Sequence, residues 1–148
     1  MAKKNGTRLA RKRTSCRETL GFKTDHVIGL VKAIRKGISF TALERFEHQS
    51  GLGRHLLARA MGIPPRTMAR RKAGGTLTSD ESERLLRLAE LFDLTVALFE
   101  GNRAAARNWL QAANKALGNL TPLTMAETAL GARAVEDLIG RLEAGVYS

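Results

Sequence analysis

Several features are scarce or missing in this chain, and each absence excludes something. There is one cysteine, Cys16, so no internal disulfide can form. Without a second cysteine, a zinc site would have to rest on His26, His48 and His55, whose spacing fits no familiar metal-binding pattern. They read as surface histidines, and no metal is expected. No stretch approaches the roughly 18 consecutive apolar residues of a membrane span. The N-terminus has no apolar segment behind its charges, which leads us to expect a cytoplasmic protein. Alternating strand patterns are missing, as is any repeat with a period of about 20 to 50 residues. The chain also lacks a glycine-rich phosphate loop, a serine elbow and a histidine-bearing metal motif. Glu136, Asp137 and Glu143 fit the wet face of the last helix better than an acid–base set. The expectation is a protein that is not an enzyme and needs no cofactor.

What is present is charge, unevenly placed. The 148 residues carry a net charge of +11, and their 43% hydrophobic content is enough for one full core or two small ones. Residues 1–36 hold 11 basic and 2 acidic side chains, residues 37–75 hold 7 and 2, and residues 76–148 hold 7 and 10. A basic front and a mildly acidic back suggest that one end meets a polyanion and the other meets something else. Residues 1–24 are rich in Lys, Arg, Ser, Thr and Gly without apolar periodicity, and read as a mobile basic arm.

From Asp25 onward the periodicity is helical throughout, which predicts an all-α protein. Val27, Ile28, Leu30, Val31 and Ile34 mark one helix ending at Gly37. A second starts near Ser39 with Phe40, Leu43 and Phe46 inside, and stops at "SGLG". The longest helix is predicted over Thr78 to Glu100. Thr78 and Glu81 form a capping box there, and Asp80, Glu81 and Glu83 lie at the positive end of the helix dipole. Leu85, Leu88, Phe92, Val96 and Phe99 make one apolar stripe on it, and Leu91, Leu94 and Leu98 a second. So wide a face predicts burial on two sides: residues 76–101 as a connecting helix, with residues 85–99 as one candidate dimer surface. Beyond it, an alanine-rich helix is predicted from Asn102 to Gly118. Next comes a helix with Thr121 as cap, Pro122 at its first position and Gly131 near its stop. The last carries Ala132, Val135, Leu138, Ile139 and Leu142 on one face and ends at Gly145. Trp109, alone among alanines, reads as a core residue rather than an interface anchor.

The segment "IPPRTMARRKAGG", Ile63 to Gly75, carries the sharpest signal. With "RHLLARAM" before it and Gly62 between, it has the size and glycine placement of a helix-turn-helix within residues 25–75. At about 100° per residue, Arg66, Thr67, Arg70 and Arg71 fall within an arc of about 140°, with Met68 and Ala69 opposite and Lys72 following. Arginine suits guanine edges or phosphate, and threonine suits a thymine methyl or phosphate. A solvated basic face would look the same in isolation; the positive front of the chain favours DNA. Arg66, Thr67, Arg70, Arg71 and Lys72 are therefore the candidate DNA-binding residues.

Two further stretches resemble a known family. "TSDESERLLRLAELFDLTVALFEG" and "NWLQAANKALGNLTPLTMAETALGARAVEDLIGRLEAGVYS" are similar to antitoxins of the Xre/ParS/MbcA type, the likeness running from about Ser39 to Ser148. It implies an N-terminal Xre-like helix-turn-helix domain and a C-terminal helical toxin-binding domain at residues 102–148. It also implies a RES-domain toxin that consumes NAD as partner, and repression of the protein's own operon. By position the C-terminal motif falls on Trp109, Leu110, Ala116 to Gly118, Pro122, Leu123, Thr128, Gly131, Val135, Leu138, Arg141, Glu143 and Gly145 to Tyr147. Met125 and Ala126 stand where members often have two leucines, and Lys115 where proline is common. Given such a partner, the free end suits a plug. A basic pocket built for the phosphates of NAD would attract Glu143 and the chain-terminal carboxylate. Arg141, Glu143, Gly145, Val146, Tyr147 and Ser148 are thus the candidate toxin-binding residues. Operator half-sites imply a homodimer, or a dimer assembled with the toxin. A free-standing helix-turn-helix regulator whose back domain only dimerises is the alternative reading, followed by a helical adaptor that never touches DNA.

Overall fold

The computed structural model describes residues 16–22 and 26–145. The described residues form helices α1 (Cys16–Thr19), α2 (Val27–Lys36), α3 (Phe40–Ser50), α4 (Arg54–Ala60), α5 (Pro65–Gly74), α6 (Ser79–Leu98), α7 (Arg103–Gln111), α8 (Pro122–Met125) and α9 (Ala129–Glu143). A 3₁₀ turn over Lys115–Leu117 joins α7 to α8. Among the described residues there is no strand. Two isolated bridges, Ser39 to Thr76 and Asn114 to Leu120, pin loops together.

Helix α6 is the central element. Its Thr78 Oγ accepts from the Glu81 N–H at 3.2 Å, and the Glu81 carboxylate accepts from the Thr78 N–H at 2.9 Å, closing the capping box. Leu85, Leu86, Leu88, Ala89, Leu91, Phe92, Thr95 and Val96 are all buried, against α1, α2 and α3 on one side and α7 and α9 on the other. The apolar core is continuous from Leu20 to Ile139. At its centre the rings of Phe46 and Phe92 meet edge to face, with centroids 5.9 Å apart, an arrangement that adds about 1 kcal/mol beyond area burial. The face predicted as a dimer surface is therefore consumed inside the chain. Only Leu94 (40% exposed) remains open among its large side chains.

Other expectations change for local reasons. Residues 16–22 are packed rather than mobile: Leu20 and Phe22 enter the core, Arg17 pairs with Glu90, and Thr19 bonds Gln49 at 2.5 Å. The rest of the basic arm lies outside the described residues. Helix α7 stops at Gln111, short of Gly118. The Asn114 side chain accepts from the Ala116 N–H at 3.0 Å, an Asx-type bond that competes with helix and turns the chain so that Leu117 is buried. Gly131 ends no helix; it lies in the first turn of α9, where Thr128 Oγ accepts from its N–H at 3.0 Å. A Cβ there would sit 1.8 Å from the Met125 carbonyl oxygen, so the glycine is what lets α9 approach the end of α8. Trp109 is half-buried, tilted on Phe99 with ring centroids 6.4 Å apart.

Candidate functional site

Two surfaces carry the residues singled out by the sequence, one at α4–α5 and one at the end of α9. Helix α4 reaches α5 through a tight turn: the Ile63 N–H donates to the Ala58 carbonyl at 2.8 Å, and Gly62 takes φ of +67°. Pro64 caps α5 in an extended conformation and Pro65 opens it. Proline is suited to this first turn because its missing donor would be unpaired there. Met68 is the only side chain of α5 that is buried. Arg66, Arg70 and Lys72 are exposed, and Thr67 is half-buried with its Oγ accepting from Arg70 Nη at 3.4 Å.

Arg71 is placed differently. At about 60° from Met68 around the helix, it folds inward, and its Nε donates to Glu81 Oε1 at 2.7 Å. Burial pushes the Glu81 carboxyl up, but the Arg71 guanidinium and the Thr78 N–H outweigh it and hold the group below its ordinary range. Ala69, expected to point inward, is exposed. It shares an open groove with Arg54, His55, Ala58, Pro65, Met68 and Lys72. Arg54 is bound to α3, through Glu47 at 2.8 Å and Glu44 at 3.2 Å, and lies over the Phe40 ring at 5.2 Å. The hydrogen bond that Arg54 donates to Glu47 leads in raising its already high pKa.

At the other end, α9 buries Ala132, Val135, Leu138 and Ile139 and leaves Arg141 and Glu143 exposed. Arg141 borders an open cleft whose walls are Ala116 and Leu117 of the 3₁₀ turn, Met125 of α8, and Ala134, Glu136, Asp137, Gly140 and Ala144. Gly145 closes the helix at φ +70°, a left-handed conformation that costs glycine little. Val146, Tyr147 and Ser148 lie outside the described residues. Sequence reading missed this cleft because its walls come from three separate elements. It also missed the Arg71–Glu81 bond, whose partners are separated by the Gly74–Gly75 turn. Among the described residues no cluster of His, Cys, Asp or Glu could hold a metal ion, and no helix is long and apolar enough to cross a membrane.

Comparison with known proteins covers both halves of the chain. Residues 29–90 match the antitoxin Xre-like helix-turn-helix domain, and residues 94–145 match the antitoxin Xre/MbcA/ParS C-terminal toxin-binding domain. Helix α6 is thus shared between the two matches. The protein named antitoxin Xre in Yersinia enterocolitica is 38% identical over 120 residues, covering 80% of this chain and 81% of that one. Antitoxin Xre of Photorhabdus laumondii is 34% identical over 131 residues, 88% of each chain. A further antitoxin Xre, from Pseudomonas putida, is 34% identical over 84 residues, 56% of this chain and 52% of its own. With a helix-turn-helix in front and a toxin-binding domain behind, the chain belongs to the Xre family of antitoxins.

Proposed function

We propose that this antitoxin neutralises a RES-domain toxin that consumes NAD, by laying the end of α9 into or over the toxin's active site, and that it represses its own operon through α5. In this division residues 25–75 serve DNA, the long helix within 76–101 connects, and residues 102–148 serve the toxin. Arg141, Glu143 and Gly145 to Ser148 form the blocking end. Arg66, Thr67, Arg70 and Lys72 face DNA, with Arg71 beside them. The observation that carries the reading is the separation of tasks along one chain. An exposed arginine face opens at the first turn of α5, and exposed charged residues lead out of α9 some seventy residues later. The RES identity and the NAD chemistry come from the family likeness of the C-terminal stretch, and a dimer follows from the need to meet two operator half-sites.

The test uses the full chain and a chain lacking residues 145–148, each co-expressed with the cognate toxin, with cell growth and NAD content as readouts. Full protection by the truncated chain overturns the plug. A toxin that leaves NAD untouched overturns the NAD reading. In parallel, the Arg66→Ala, Arg70→Ala double variant should lose salt-dependent binding to DNA upstream of its own gene while still capturing toxin. Equal loss of both activities would make α5 a purely structural helix.

A further inference from the structure

Helix α5 has an unusual foundation for a reading helix. One buried side chain, Met68, anchors it; a single buried anchor fixes a point on a helix but constrains its rotation about that point less than a buried stripe does. Polar ties from α6 supply the rest, one made to α5 itself and one to the end of α4 that leads into it. Near the C-terminal end of α5, Arg71 Nε donates to Glu81 Oε1 at 2.7 Å. At the C-terminal cap of α4, ahead of the turn into α5, Arg84 Nη1 donates to the Met61 carbonyl at 3.0 Å. Glu81 and Arg84 are three residues apart and so share one face of α6. The carboxylate is itself immobilised, because the same Oε1 accepts the Thr78 N–H at 2.9 Å in the capping box.

We propose that Arg71 and Glu81 are a positioning pair: their bond sets the angle at which α5 presents Arg66, Thr67 and Arg70, and Arg71 itself makes no DNA contact. This rests on the reading of α5 as the DNA-facing helix. To reach a phosphate, Arg71 would have to leave a carboxylate whose side chain is only 9% exposed, stranding a charge with little access to water. The Glu81 carboxyl, held below its ordinary range, is ionised at neutral pH, and Arg71 is the cation it meets among the described ion pairs. Arg66, Arg70 and Lys72 face no such penalty, since none of them has an ion-pair partner among the described residues.

The two roles predict opposite responses to loss of Glu81. Binding of the full chain is measured by fluorescence anisotropy across a salt series. One duplex covers the DNA upstream of its own gene, and a scrambled duplex of equal length serves as reference. Preference of the wild type for the first duplex tests the reading of α5; no preference overturns that reading and the pair's role with it. Given preference, E81Q is the decisive variant, because glutamine preserves the capping box but removes the charge. We expect its affinity for the upstream duplex to fall about tenfold, the worth of one base pair's discrimination. The scrambled duplex and the salt slope should not change. R71M should lose as much, and the double variant no more than either. The proposal is overturned if E81Q binds as tightly as the wild type or tighter. It is equally overturned if R71M weakens both duplexes alike and makes the salt slope shallower by about one, the signature of a lost phosphate contact. Hydrogen exchange gives a readout without DNA: amides of α5 should exchange faster in E81Q and R71M while those of α9 do not, and unchanged exchange in α5 overturns the pair.

Discussion

Helix α5 buries one residue, Met68, whereas α9 buries five, Gly131, Ala132, Val135, Leu138 and Ile139. Both end in a left-handed glycine shortly after an exposed arginine, Gly75 after Arg70 and Gly145 after Arg141. The two helices thus present charged residues in similar ways but are held by different forces. Apolar burial dominates at α9. At α5 the restraint is an ion pair to Glu81, and the flanking chain is held by a bond from Arg84 to Met61 ahead of the helix and by backbone bonds from Phe40 to Gly75 at 2.9 Å and from Leu77 to Ile38 at 2.9 Å behind it. Apolar contact is insensitive to salt and pH, while charged contact responds to both. The seating of α5 is consequently the more open to solution conditions of the two, and that of α9 the less.

The strongest way to break this comparison is to remove matching apolar anchors. Ile139→Ala should cost about 3–4 kcal/mol, because Ile139 is 1% exposed and its truncation leaves a void in the core. Met68→Ala should cost about 1–2 kcal/mol, since Met68 borders the groove shared with Ala58 and Lys72, and water can enter the space it leaves. Thermal or urea unfolding measures both. A larger loss for Met68→Ala than for Ile139→Ala would mean that α5 is the more deeply packed helix, and the contrast would fail.

A second substitution sharpens the account of α9. Gly to Ala inside a helix ordinarily stabilises by up to about 1 kcal/mol. Gly131→Ala should instead destabilise by about 2 kcal/mol, since the new Cβ would sit 1.8 Å from the Met125 carbonyl oxygen and either α8 or α9 must shift. The same unfolding assay checks it. A rise in stability would show that α8 yields freely and that α9 is less firmly seated than its burial implies.

Much of this architecture could be read from short-range patterns. The capping box at Thr78 and Glu81, the caps at Ser39 and Thr121 and the apolar stripe of α6 depend on residues within a turn of one another, and they stand in the structure. Features set by distant partners were not legible. Nothing near Leu20 and Phe22 indicates that they enter a core whose other members begin at Ile38. Gly131 resembles a helix stop until the Met125 carbonyl is seen beside it. Arg71 belongs to the arginine arc by angle alone, and only its bond to Glu81 of α6 separates it from Arg66 and Arg70. In the candidate site, exposure at Arg66, Arg70 and Glu143 followed from helical phase, whereas the cleft beside Arg141 needed the 3₁₀ turn that Asn114 creates.

The smallest effect is the one that isolates the charge holding α5. Glu81 is depressed below its ordinary value of 4.5: burial opposes ionisation, but the hydrogen bonds from Arg71 and Thr78 and the charge of Arg71 prevail. A carboxylate with a depressed folded-state pKa contributes stability that is fully present above its unfolded-state value and is lost as pH falls through the folded-state value. The contribution of Glu81 is therefore constant through the neutral range and declines below pH 4.5. Hydrogen bonds to Glu81 and to Glu47 raise the already high values of Arg71 and Arg54 further, so their pairing adds no pH dependence in that window. Other carboxylates titrate there too, so the informative quantity is a difference. The gap in melting temperature between wild type and E81Q should be constant down to about pH 5 and narrow towards about pH 3. If the two melting curves stay parallel over that range, the Glu81 charge does not hold α5, and the contrast with α9 reduces to the number of buried side chains.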